Sequence, residues 1–289
     1  MSEAFENVPK ATPGSSARGA GVRVAAVQMT SSTRVEDNLL VAADLIARAA
    51  AQGAGLVVLP EYFCLMGRRD RDKVQIREAD GSGPIQVFLS EQARRHRLWL
   101  VGGTLPLAAP QPDHVFNSTL VFDPQGERVG RYDKIHLFSF RQGEESYDEA
   151  RTISPGVTPV MVDCRIDSIN LRVGLSVCYD LRFPELYRHL SGADLLLVPA
   201  AFTATTGQAH WETLLRARAI ENLCYVLASA QSGRHENGRS TFGHSMLIDP
   251  WGKIIAQIET GTGIVVGEID PARIADCRAS LPALAHRVL

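Results

Sequence analysis

An α/β domain is predicted by three features of this 289-residue chain. Short apolar, β-branched runs bounded by glycine or proline read as buried strands, and they recur along its length. Longer segments with apolar residues at helical spacing lie between them. The alternation passes without a composition break, a low-complexity linker or a short-period repeat, so one domain is expected over residues 22–289.

The elements follow in order. Residues 1–21, MSEAFENVPKATPGSSARGAG, are rich in Ala, Gly, Ser and Pro and read as a flexible leader. They lack the continuous apolar segment of a secretory signal, and Glu3 and Glu6 with few arginines do not suit an organellar presequence. VRVAAVQM is the first strand. Ser31 to Thr33 offer caps for a helix through VEDNLLVAADLIARAAAQG, with Leu39, Leu40, Ala43 and Ile46 as its apolar face and Gly53 as its end. AGLVVLP is a strand, PIQVFLSEQARRHR a helix and LWLVGGTLPL a strand. VFNSTLVFDPQGERVGRYDK reads as two strands around a turn at Asp123-Pro124-Gln125-Gly126. The second half repeats the pattern. LRVGLSV, ADLLLVPAA and CYVLASA are strands, and PELYRHLSGA and AHWETLLRARAIEN are helices. A β-rich finish turns at Asp249-Pro250-Trp251-Gly252, between STFGHSMLI and KIIAQI.

Composition narrows the function classes. Hydrophobic residues are 45%, enough for a large core, while charged residues are 21% and the formal charge is −2. That balance argues against a nucleic-acid or acidic-membrane binder. No apolar stretch is long enough to span a bilayer. Cys64, Cys164, Cys178, Cys224 and Cys277 are odd in number and irregularly spaced, with no C-x-x-C, which fits reduced thiols in the cytoplasm. The eight histidines show no H-E-x-x-H and no i, i+4 pair, so no metal is expected. There is no P-loop, and Gly102-Gly103 is too weak a signal for a dinucleotide site. No cofactor is expected.

Three segments carry chemistry. Glu61 follows the strand in GLVVLPEYF, Lys134 lies in GRYDKIHLF, and Cys178 follows the strand in RVGLSVCYDLRFPE. Strand ends are where open α/β sheets build sites. Pro184 suits a first helical turn, so Cys178 falls on a strand-to-helix bend whose backbone N–H groups face developing negative charge. A carboxylate takes a thiol proton, a thiolate attacks a carbonyl, and an ammonium stabilises the oxyanion. Burial raises the pKa of such a carboxylate and a neighbouring lysine lowers it. His136 shares a strand face with Lys134 and is expected to support the site's shape rather than act as base. The other four cysteines read as small core hydrophobes.

These three blocks, in this order, resemble the nitrilase, or carbon–nitrogen hydrolase, superfamily. The resemblance covers the chain from about Val22 to near its C-terminus. It implies a four-layer αββα sandwich, with Glu61 as general base, Lys134 as oxyanion stabiliser and proton donor, and Cys178 as nucleophile. It also implies a second glutamate, for which Glu149 is favoured over Glu144 and Glu145 by its distance before the SPG turn. Phe202 and Thr203 fall where the family places a pocket wall, and the Tyr179 backbone N–H falls at the oxyanion. Arg182 is a candidate for holding a substrate carboxylate, ahead of Arg234, His235 and Arg239. The AQSGRH, FGHSM and DPWG stretches are similar to the branch holding deaminated glutathione amidases and ω-amidases. That similarity implies a small carboxylate-bearing amide as substrate, with deaminated glutathione ahead of 2-oxoglutaramate or 2-oxosuccinamate, and nitriles and N-carbamoyl compounds behind. It implies a homodimer or larger homo-oligomer.

Overall fold

In the computed structural model, residues 21–143 and 145–288 are described, so Glu144 and all but the last residue of the expected leader fall outside. The apolar runs pair as two sheets. The first has the order Gly263–Ile269, Val22–Gln28, Leu56–Val58, Trp99–Val101, Val115–Phe122 and Leu105–Ala108, with Arg128–Asp133 also pairing on Val115–Phe122. The second runs Ile254–Ile258, Ser245–Ile248, Tyr225–Ala230, Leu195–Ala200, Ile169–Leu175 and Met161–Ile166. Each has three parallel strands at its heart with antiparallel neighbours outside.

Side-chain alternation splits each central strand between two cores. Val24 and Ala26 join Leu56, Val58, Val173 and Leu195 in the core between the sheets. Ala25 and Val27 join Leu45, Ile46, Leu89 and Ala93 beneath helices Val35–Ala51 and Pro84–His96. Leu186, Trp211 and Leu215, on helices Pro184–His189 and Ala204–Asn222, cover the second sheet. The layers are therefore αββα. Ser229 pins the sheets together, its Oγ lying 2.6 Å from the Val27 carbonyl oxygen and 3.1 Å from that of Val58.

Several expectations need correction. The first helix starts after Arg34 with no side-chain cap from Ser31–Thr33; instead the Arg34 N–H donates to Ser32 Oγ at 3.1 Å. Its buried stripe is Asn38, Ala42, Leu45, Ile46 and Ala49, which leaves Leu40 73% exposed. The strand expected through LWLVGGTLPL breaks into Trp99–Val101 and Leu105–Ala108. Gly103 causes the break: its φ is +50° and a Cβ there would lie 2.1 Å from the Pro60 carbonyl oxygen. That close approach packs the break against the turn that carries Glu61. The helix expected from Ala209 begins at Ala204, capped by Thr203 Oγ1 accepting from the Thr206 N–H at 3.3 Å. Gly207 belongs inside it because a Cβ would fall 2.4 Å from Phe242. A hairpin of Ser139–Gln142 and Glu145–Asp148 carries the chain from the lysine segment to Glu149. Among the described residues, no helix is long and apolar enough to cross a membrane.

Candidate active site

Glu61, Ala201 and Cys178 each stand just beyond a parallel strand, Leu56–Val58, Leu195–Ala200 and Ile169–Leu175 respectively. Lys134 follows Arg128–Asp133. The fold thereby brings both sheets' strand ends to one place. Glu61 and Lys134 are fully buried and Cys178 nearly so.

The Glu61 carboxylate is held from three directions. Oε1 accepts from Lys134 Nζ at 2.8 Å and from Asn117 Nδ2 at 2.9 Å. Oε2 accepts from the Ala201 N–H at 2.8 Å. A carboxylate offers about four lone-pair sites, so one is left for a further donor. Lys134 Nζ lies 3.0 and 2.8 Å from the two oxygens of Glu149. Glu149 opens a 3₁₀ turn, Glu149–Arg151, and also accepts from Tyr62 OH and the Phe138 N–H, both at 2.7 Å.

Cys178 opens the 3₁₀ turn Cys178–Arg182 with φ +50°, the left-handed region that a residue with a side chain rarely adopts. Asp180, fully buried, holds that bend. Its Oδ2 accepts from the Val177 N–H at 2.8 Å and from Tyr132 OH at 2.7 Å. Its Oδ1 accepts from the His136 N–H at 3.0 Å and lies 2.7 Å from His136 Nδ1. One carboxylate thus joins the cysteine's bend to residues on both sides of Lys134. The His136 ring stacks on Phe183 at 3.7 Å between centroids, the supporting position expected of it.

The electrostatics follow from burial and pairing. Burial works against the Lys134 ammonium, but the Glu149 and Glu61 carboxylates outweigh it and hold the pKa above the ordinary lysine value. Burial also works against the Glu149 carboxylate, yet Lys134 and the two hydrogen bonds keep it below the usual range. Burial, then the Glu61 charge and hydrogen bond, push the Cys178 thiol well up against the opposing pull of Lys134. The resting site is therefore a thiol beside a carboxylate with an ammonium between two anions. Such a set moves a proton off sulfur only as negative charge develops elsewhere within reach of the ammonium. Cys64 and Cys164 are pushed up to about 12 by burial with no cation beside them.

A cleft of about 500 Å³ reaches this floor at Glu149 and carries Tyr62, Arg68, Lys73, Tyr147 and Arg239 on its walls. A narrow recess containing Cys178, Tyr179, Phe202 and Thr203 shares Phe138, Glu149 and Arg239 with it. Arg182 lines neither. Its guanidinium packs over the rings of Tyr179 and Phe202, at 5.7 and 5.3 Å, and Nη1 lies 3.3 Å from His210 Nδ1. Arg234 is exposed, and buried His235 bonds to the Ser31 carbonyl and Thr241 Oγ1, so of that group Arg239 alone meets the cleft. Glu145 sits at the cleft wall, accepting from Thr205 Oγ1 at 3.1 Å. Among the described residues, no group of three His, Cys, Asp or Glu is arranged to hold a metal.

Tyr62, Asn117, Asp180 and Lys73 were not singled out by the sequence. Asn117 had a signal, as a polar residue inside the apolar run VFNSTLVF. Asp180 had one in its position two residues past Cys178.

Residues 23–279 match the family model described as carbon–nitrogen hydrolase. A deaminated glutathione amidase from Synechocystis is 43% identical over 270 residues, covering 91% of this chain and 97% of that protein. The structure of the Caenorhabditis elegans NitFhit protein superposes with a TM-score of 0.84 at 39% identity, over 93% of this chain and 65% of that one. The structure of Saccharomyces cerevisiae Nit3, a member of branch 10 of the nitrilase superfamily, gives 0.83 at 31% identity, over 95% and 99%.

Proposed function

The chain belongs to the carbon–nitrogen hydrolase family, and on that premise we propose that it hydrolyses a small carboxylate-bearing linear amide through an acyl-thioester on Cys178. The observation that carries this reading is the buried Lys134 ammonium, 2.8 Å from both Glu61 and Glu149 and near enough to Cys178 for its charge to act on the thiol.

In the first half-reaction Glu61 takes the thiol proton through its remaining lone-pair site as sulfur bonds to the carbonyl carbon. Lys134 and the Tyr179 backbone N–H stabilise the oxyanion. The carbon–nitrogen bond then breaks. Lys134 gives a proton to the departing amine and is recharged from Glu61, so the proton taken from sulfur replaces the one that leaves with the amine. In the second half-reaction Glu61 takes a proton from water, the water oxygen bonds to the acyl carbon, and the carbon–sulfur bond breaks. The Glu61 proton returns to sulfur. Glu149 keeps Lys134 aligned and favours its return to the charged form. Phe202 and Thr203 wall the acyl group.

Deaminated glutathione is the favoured substrate. The support is the name of the 43% identical relative and a cleft of about 500 Å³, large enough for a peptide-like leaving group. Pairing into a homodimer belongs to the same reading. It is supported by exposed Ile220, Trp251 and Ile255 at 45, 54 and 42%, and sedimentation tests it. The test of function is turnover of deaminated glutathione against 2-oxoglutaramate by the wild type and Cys178→Ala. Faster turnover of deaminated glutathione, lost on substitution, supports the whole reading. Preference for 2-oxoglutaramate keeps the mechanism and makes the protein an ω-amidase. Turnover of neither amide removes this substrate class.

A further inference from the structure

The cleft is lined by Arg68, Arg69, Lys73, Arg151 and Arg239, none of them used by the chemistry above, and of these Lys73 and Arg239 stand nearest the reacting groups, through Tyr62 and the recess of Cys178. Lys73, on the short helix Asp72–Gln75, has no carboxylate within salt-bridge distance among the described residues. Its Nζ has a long contact of 3.4 Å to Thr152 Oγ1 and lies 5.8 Å from the Tyr62 ring centroid. Arg239 is also without a carboxylate partner among the described residues. One of its terminal nitrogens donates to the Ala201 carbonyl, its Cζ lies 5.1 Å from the Tyr147 ring centroid, and its Nε is buried with no hydrogen-bond partner. Of the carboxylates on the cleft, Glu149 already has Lys134, Tyr62 and the Phe138 N–H on its oxygens, and Asp70, Glu145 and Asp148 stand outside salt-bridge distance of both cations.

Partly buried cations without counter-charges cost stability unless something anionic completes them. Placed as they are, they offer an ammonium and a guanidinium to one cleft from two separate segments. Tyr62 connects them to the chemistry: its ring faces Lys73 and its hydroxyl donates to Glu149. Arg239 lines both the cleft and the recess of Cys178.

We propose that Lys73 and Arg239 form an anion subsite that binds a carboxylate of the amide substrate and sets the enzyme's preference for acidic over neutral amides. The proposal rests on the amide-hydrolase reading and deepens it. Burial lowers the Lys73 pKa against the pull of Glu149 and Asp70, while Arg239 and Lys134 push the same way as burial. A bound carboxylate relieves that penalty. The guanidinium keeps its charge throughout and supplies a planar fork for the same group.

The test uses an acidic and a neutral amide of similar size, succinamate and butyramide. In Lys73→Met and in Arg239→Met, the ratio of KM for succinamate to KM for butyramide rises about tenfold or more, the loss of one charge-assisted hydrogen bond. Lys73→Arg restores most of the ratio. A second arm needs no turnover. 2-Oxoglutarate protects wild-type Cys178 from iodoacetamide, and each Met variant needs about tenfold more of it for half protection. Unchanged circular dichroism and thermal unfolding without ligand show that the variants are folded. An unchanged KM ratio with unchanged protection overturns the subsite even if amides are hydrolysed. Weakened protection in the variants supports it even if neither amide is turned over, in which case the hydrolase reading fails separately. No protection of the wild type by 2-oxoglutarate overturns it as well.

Discussion

At the floor of the site, Glu61, Lys134 and Asp180 are fully buried and all engaged; on the cleft wall, Lys73 has one long contact to Thr152, and Arg239 bonds one backbone carbonyl while its buried Nε has no partner. The same chain therefore treats charge in two ways. Floor charges are spent on one another, so the reacting groups need no rearrangement when an oxyanion forms. Wall charges are left for a ligand, so their energy is released only on binding. The difference assigns rate to the floor and selectivity to the wall.

Substitutions break this comparison in order of size. Cys178→Ala removes the nucleophile and is expected to lower kcat by at least about 10⁴-fold, read by product formation. Glu61→Gln keeps the shape but not the base, and kcat falls by roughly 10²–10⁴-fold with a smaller change in KM. Asp180→Ala leaves the Val177 N–H and Tyr132 hydroxyl without acceptors in a dry interior. Denaturant unfolding is expected to show a loss of roughly 2–4 kcal/mol, together with slower alkylation of Cys178 as its bend relaxes.

Glu149→Gln sharpens the contrast through pH. Glu149 has its folded pKa depressed below the ordinary 4.5, so its contribution to stability is present above that value and is lost as pH falls through the depressed one. The wild type is expected to be more stable than Glu149→Gln at neutral pH, by roughly 1–3 kcal/mol. The gap should close as pH drops below 4.5, measured by denaturant unfolding across pH. A gap that widens in acid contradicts the pairing of Glu149 with Lys134.

Much of the floor was legible because its residues sit beside strong local signals. LVVLPE and LRVGLSVC place Glu61 and Cys178 at strand ends, and continuous apolar runs bounded by glycine or proline give the strands themselves. The wall was legible only in part: Arg239 was among the arginines considered for a substrate carboxylate, whereas Lys73 was not. Lys73 lies in RRDRDKVQIRE, where charges are dense and nothing local separates a cleft lysine from a solvated one. Arg182 shows the opposite error: closeness in sequence to Cys178 suggested a substrate contact, but the 3₁₀ turn sends its guanidinium over Tyr179 and Phe202. Leu40 was misplaced because four apolar residues within one helix fit more than one stripe, and tertiary contact chose the stripe through Leu45 and Ala49. The start of helix Ala204–Asn222 was hidden by threonines and Gly207, whose place there depends on Phe242 packing from a distant strand.

The most direct measurement is rapid acid quench of the wild type during turnover of deaminated glutathione, followed by peptide mass spectrometry. The account predicts a 2-oxoglutaryl thioester on the Cys178 peptide that forms and decays at rates matching turnover. Steady turnover with the acyl group on another residue, or with no acyl-enzyme formed in either the wild type or Glu61→Gln, would contradict it.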